Sequence, residues 1–333
     1  MQFGQLKRRD FLTLLGGAAA WPLAARAQQT NQMRRVGLLV NAAESDLEKQ
    51  SEIGAFRAGL EALGWSEGRN IRFHYRWTAG RFDRLSTYAR ELVSLAPDAL
   101  LATNGPTLVA LQGETKSIPI VFVQIIDPVG ERYVPSLAHP GGNITGFTHF
   151  EHAIGGKWLE LLKEIAPHVI KVAVIWNPNN VAVNGFMRTI KEAAPSIAVE
   201  PIEAHVQNAV EIENVIAAFA HRSNIGFIVP PDFTTVVNRS PIIASAARYK
   251  LPAIYPFRLF VTDGGLMSYG INLREMYVRS ASYVDRILRG ERPGDLPVQA
   301  PTKYELVINL KAAKALGLDV PPTLLARADE VIE

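Results

Sequence analysis

The chain has 333 residues, 48% hydrophobic and 20% charged, with no cysteine and a formal net charge of +3. That length suggests about two domains, the composition is that of a globular protein, and the lack of cysteine excludes a disulfide framework, a thiolate nucleophile and a zinc–thiolate site. The charge excess sits in residues 1–27, where Lys7, Arg8, Arg9 and Arg26 face Asp10 alone. The rest of the chain is near neutral, which argues against a nucleic-acid surface.

The first segment reads as a leader. Lys7-Arg8-Arg9 precedes an apolar run from Phe11 to Ala25, and Ala25-Arg26-Ala27 closes it with an A-x-A cleavage pattern before Gln28. A charged start, an apolar middle and a small-residue exit describe a signal peptide, here of the twin-arginine type. The run is too short, and too broken by Gly16-Gly17 and Pro22, for a spanning helix of about 20 apolar residues. The expected location is the periplasm, with cleavage near Ala27.

Beyond the leader, apolar runs and amphipathic stretches alternate. Residues 35–40 (RVGLLV) predict a buried strand, and the polar loop 41–46 offers Ser45 or Asp46 as cap for a helix ending near Leu63, before Gly64. Residues 70–77 alternate like a half-exposed strand, 83–95 predict a helix, 99–103 a strand, and about 106–115 a helix. Residues 118–126 form an almost unbroken apolar run, as in parallel strands covered on both faces. It ends in Asp127-Pro128, and a strand-like pattern resumes at 143–147.

A second array comes next. Helices are predicted at 155–165, 181–194, 210–221 and 240–249, and strands at 171–176, 198–202, 225–229, 252–255 and 265–269. Residues 273–290 form a long helix, 303–309 are strand-like, 310–316 helical, and 321–333 predict a short final helix. The alternation specifies an α/β protein of two doubly wound, mainly parallel sheets.

In such sheets ligands sit beyond the carboxyl ends of the strands. Those ends are polar or small in both halves: Asn41 to Ser45, Thr103 to Pro106, Asp127, Asn177 to Asn180, Asp232, and Tyr255-Pro256. Facing halves would make these ends the walls of one cleft, and a buried carboxylate there would call for a cationic partner such as a ligand's ammonium. Each residue also has a local explanation, since Asp-Pro and Asn-Pro start turns and an Asp after a strand caps the next helix. Enzyme signatures are missing: no G-x-G-x-x-G follows the first strand, and there is no P-loop or G-x-S-x-G elbow. His149-Phe150-Glu151-His152 lacks the spacing of a metal site, and neither a cofactor nor a metal is expected. Trp158 and Trp176 read as core.

Several motifs resemble the TrpX-type substrate-binding proteins of ABC transporters. They are Asp127-Pro128-Val129-Gly130, the run Pro140-Gly141-Gly142-Asn143-Ile144-Thr145-Gly146, and Val174-Ile175-Trp176-Asn177-Pro178. Glu67-Gly68-Arg69-Asn70 and the tail Glu305-Leu306-Val307-Ile308-Asn309-Leu310-Lys311 carry the same resemblance. It implies a type I periplasmic-binding fold whose two α/β domains, 34–146 with 273–299 and 147–272 with 300–333, are joined by three hinge crossings. These would fall near 146–148, 269–273 and 299–302. It also implies a monomeric, non-enzymatic receptor for a small amphiphilic solute, an amino acid or aromatic compound, that serves a membrane permease or, alternatively, feeds a membrane signalling partner. The implied ligand contacts are Ala43, Glu44, Ser45, Thr103, Asn104, Asp127, Asn177, Asp232 and Tyr255. Glu131 and Tyr133 stand where the family usually has smaller residues, and His139 where it has Arg.

Overall fold

The computed structural model describes residues 33–333; the expected leader lies outside them. The first sheet has five parallel strands in the order β2-β1-β3-β4-β5: β1 Arg34–Val40, β2 Ile71–Trp77, β3 Ala99–Ala102, β4 Ile120–Ile125 and β5 Ile144–Thr148. The apolar runs predict this layering. β3 and β5 are buried throughout, and edge strand β2 alternates only at its start. Helices α1 Leu47–Ala62, α2 Leu85–Ser94 and α3 Gly105–Glu114 connect the strands. Asp46 takes the cap of α1, accepting from the Lys49 amide at 3.1 Å, and Asn104 forms a reciprocal capping box with Thr107.

The second sheet has seven strands in the order β12-β11-β10-β9-β8-β6-β7. They are β6 Lys171–Trp176, β7 Glu200–His205, β8 Ile225–Ile228, β9 Ala253–Tyr255, β10 Met267–Gly270, β11 Glu305–Asn309 and β12 Glu330–Ile332. Its pairs are parallel except β10 with β11. Helices α4 Ile154–Ile165, α5 Val183–Ala193, α6 Ala209–Ala220, α7 Phe233–Val237, α8 Arg239–Arg248 and α9 Arg258–Thr262 accompany it. α10 Leu273–Leu288 then returns to the first sheet and packs along α1, where a Cβ on Gly59 would sit 2.8 Å from that of Ala281. Trp65 Nε1 fastens the pair by donating to Asp285 Oδ1 at 2.7 Å.

The chain therefore crosses between the sheets three times. β5 stays paired with β4 through Thr148, and the first crossing follows from there. The second is residues 271–272, and the third comes after Gln299, which pairs with Phe147 in a parallel bridge. Gln299 N donates to Gly146 O and Thr148 N to Gln299 O, both at 2.9 Å, so the segments that lead into the first and third crossings lie side by side.

Other elements differ from expectation. β7 begins at Glu200 rather than 198, because Ala198 is left-handed (φ 51°) and closes a 3-10 turn. The predicted final helix 321–333 is the short α12 Pro322–Leu325 followed by strand β12, with α11 Leu310–Leu316 before it. The strand wins because Asp329 accepts from Leu306 N at 2.9 Å, which docks the tail on β11, and Glu330 pairs with Arg258 of α9 at 2.6 Å.

Candidate functional site

The carboxyl edges of both sheets face one cleft of about 930 Å³. The loops after β1, β3 and β4 form one wall, and those after β6 and β8 the other. Of the residues expected at strand ends, Ala43, Thr103, Asn104, Asp127, Asn177 and Asp232 line this single space. Glu44 and Ser45 do not: both are exposed in the loop before α1, where Asp46 turns inward as the cap. Tyr255 is also outside the cleft. β9 lies inside its sheet, and the Tyr255 ring enters the core, 1% exposed and stacked on Phe260 at 4.9 Å. Phe257, two residues on, forms that part of the wall instead.

Several polar groups of the lining have a structural task as well. Asp127 Oδ1 accepts from Gly130 N at 2.8 Å and so closes its own turn, with no such bond to Oδ2. Asp232 caps α7 through Thr235 N at 3.2 Å, and its Oδ2 accepts from Asn180 Nδ2 at 3.0 Å. Asn177 Nδ2 donates to Thr234 Oγ1 at 2.9 Å, which ties the two loops of the second wall together. Thr103 also ties β3 to β1, its hydroxyl donating to Leu39 O at 3.1 Å and accepting from Asn41 N at 3.4 Å.

Burial raises the Asp232 carboxyl above its ordinary range, against the hydrogen bonds from Asn180 and Thr235. It also raises Glu131, helped by the charge of Asp127. An ammonium between these groups would relieve both effects.

Asn41 and Asn180, expected among the strand ends, line the cleft as well, whereas Lys49, Gln124, Glu131, Tyr133 and His149 are lining residues not expected as ligand contacts. Gln124 had a signal, a polar residue inside a buried run. It adopts a left-handed φ of 58°, where the β4–β5 register shifts between Phe122 and Ile125. Such a conformation costs a non-glycine residue about 1–2 kcal/mol and concentrates at ligand sites. At the mouth, Phe82 of the first wall meets Phe233 of the second edge-on, ring centroids 5.4 Å apart.

The histidine cluster separates into two environments. His152 Nε2 bonds to Ala182 O at 3.0 Å beside Phe186. His149 lies at the start of the first crossing, 5% exposed, with its ring parallel to Phe257 and its Nδ1 buried without a partner. Burial holds its pKa at about 4 against an ordinary 6.5. The unfolded chain therefore takes up this proton first as pH falls, and stability drops through that window, by on the order of 3 kcal/mol in all. His149→Gln should flatten that part of the acid limb. Urea unfolding of both proteins between pH about 7 and about 4 checks it, and parallel slopes would refute it.

The sequence model of the family described as ABC transporter substrate binding protein matches residues 41–332. The chain belongs to this family. Among the relatives of this substrate-binding protein is the tyrosine-binding protein of Clostridioides difficile (strain R20291), 26% identical over 290 residues, 87% of this chain and 82% of the relative. A conserved domain protein from Vibrio cholerae superposes with a TM-score of 0.82 at 31% identity, covering 90% of this chain and 100% of that one. The ABC domain in complex with L-Trp from Streptococcus pneumonia gives 0.83 at 24% identity, with the same coverage. The fold is the type I periplasmic-binding fold, and the family is one of substrate-binding proteins, whose description the tyrosine-binding relative and the L-Trp complex share.

Proposed function

We propose that the protein is an exported receptor of an ABC importer that takes an aromatic L-amino acid into the cleft, closes over it and delivers it to a membrane permease. The observation that carries this reading is the meeting of two chemistries in one space bounded by both sheets. The carboxylates Asp127, Glu131 and Asp232 suit an ammonium, and Tyr133, Phe257, Phe82 and Phe233 suit an aromatic body. A relative that binds tyrosine and a related fold holding L-Trp support the same ligand class. The leader pattern at residues 7–27 supports export to the periplasm.

The mechanism rests on the wall composition. Asp127 belongs to the first wall and Asp232 to the second, so a ligand touching both gains contacts only when the walls approach. It favours the closed arrangement by that difference in contact free energy. The three crossings act as the hinge, the moving bodies divide just after β5, and the receptor works as a monomer. The Phe82–Phe233 contact closes the mouth.

A thermal-shift screen of purified protein against L-amino acids, aromatic amines and aromatic acids tests the reading. Aromatic L-amino acids should raise the melting temperature, since a ligand at a hundred times its Kd adds about 2.7 kcal/mol. No shift with any amino acid, or multiple turnover of a bound solute, would overturn it.

A further inference from the structure

We infer that Lys49, together with the side-chain amide of Asn41, anchors the carboxylate of the bound amino acid; the inference rests on the amino-acid reading above. The charges of the lining call for such an anchor. Among the described residues, Asp46, Asp127, Glu131 and Asp232 line the cleft, and the cations lining it are Lys49 and Arg239. A zwitterion's carboxylate is repelled by this lining unless it lands on a cation. Arg239 lies on the second wall, where its Nε donates to the half-exposed Asp263 Oδ2 at 2.7 Å and its Nη1 to the Val236 carbonyl at 3.4 Å, whereas Lys49 shares the first wall with Asn41.

Lys49 is held differently. An ammonium carries three donors. Lys49 Nζ gives one to Glu52 Oε2 at 2.5 Å and one to Gln124 Oε1 at 3.2 Å. The third has no partner among the described residues. The Lys49 side chain is 17% exposed and that of Glu52 2%, so the pair is fixed on the wall. The Tyr277 ring lies 5.7 Å from Nζ and supports it. Its rotamers are restricted before a ligand arrives, which reduces the entropy cost of binding. The backbone irregularity at Gln124 serves the same arrangement by bringing that carboxamide to Lys49.

Asn41 supplies the second, independent observation. It is 4% exposed; its Oδ1 accepts from Thr78 Oγ1 at 2.6 Å, and its Nδ2 is buried with no partner. A buried, unpaired donor in the lining of a cleft is costly unless a ligand acceptor completes it. Asn41 comes directly after β1, Lys49 lies on α1 and Gln124 on β4, so the unused donors come from one wall. The carboxylates of Asp127 and Glu131 lie beyond β4 on that same wall, leaving the ligand's ammonium a place of its own.

The test compares L-tyrosine with tyramine, which keeps the ring and the amine and lacks the carboxylate, by calorimetry on wild type and on the double variant Lys49→Met, Glu52→Gln. The double change avoids leaving Glu52 as an unpaired buried charge. Wild type should prefer L-tyrosine by about tenfold or more, the scale of one charge-assisted hydrogen bond. In the double variant that preference should shrink to within about threefold through weaker L-tyrosine binding. Equal binding of the two ligands by wild type, or an unchanged preference in the variant, overturns the anchor alone. The same comparison is made with L-tryptophan and tryptamine, and binding of none of the four by wild type overturns the aromatic amino-acid reading and the anchor with it. Should the double variant fail to fold by circular dichroism, the wild-type comparison still decides.

Discussion

Replacing Gly270 by alanine should destabilise the protein by about 4 kcal/mol or more, among the largest effects a single substitution produces. Gly270 ends β10, immediately before the second crossing. A Cβ there would lie 1.7 Å from the carbonyl oxygen of Pro256 and 2.9 Å from its carbon. Both are backbone atoms, so no rotamer change relieves the overlap. β10 would have to move off the end of β9, and it cannot do so freely, because Gly270 also pairs with Glu305 of β11. The third neighbour, Phe150 Cζ at 3.2 Å, belongs to the first crossing. The new methyl would therefore wedge the hinge as well as the sheet. The melting temperature should fall by roughly 10 °C. Gly156→Ala is the control: its nearest contact would be an ordinary 3.4 Å, and a helical Gly→Ala change gains up to about 1 kcal/mol. A Gly270→Ala protein melting within about 2 °C of wild type would disprove the close approach.

The sheets were legible in the sequence because parallel strands buried on both faces leave long apolar runs, and the cleft because those runs stop at polar loops. What the pattern cannot tell is which way a side chain turns at a strand end. Tyr255 shows this: an aromatic at the right place in the chain, yet directed into the core against Phe260. Lys49 shows the converse. On an amphipathic helix a lysine reads as a solvent-facing residue, and only the tertiary position of Glu52, buried at 1%, draws it into the wall. The tail strand β12 was invisible because its pairing with β11 depends on contacts from Asp329 and Glu330 rather than on apolar periodicity. Asp232 was legible twice over, as a helix cap and as a cleft carboxylate, and the structure gives it both positions.

That double position makes Asp232→Asn the most informative change at the site, with stability and binding expected to move in opposite directions. Asparagine caps helices as well as aspartate does, so the bond from Thr235 N survives. Asn180 can rotate its amide to offer the new residue an acceptor. The charge, however, is lost. Burial raises the Asp232 carboxyl, which means that the folded, unliganded protein holds the ionised form unfavourably. For such an acid, stability is greatest below the ordinary carboxylate pKa and declines as pH rises through the raised folded value. At pH about 7 the asparagine protein should therefore be as stable as wild type or more so. Asp232→Ala removes the cap too and should cost about 1–2 kcal/mol, since part of the lost bonding is offset by the relieved burial. Ligand affinity should depend on the charge alone. Both variants should bind an aromatic amino acid about tenfold or more weakly, the loss expected when an ammonium is left facing a neutral group. Wild-type affinity should also fall as pH drops through the raised pKa values of Asp232 and Glu131, and the asparagine protein should show a shallower dependence, with only the part from Glu131 left. Thermal unfolding with calorimetric titration across this range separates the two effects. An asparagine variant that binds as tightly as wild type would reduce Asp232 to a helix cap.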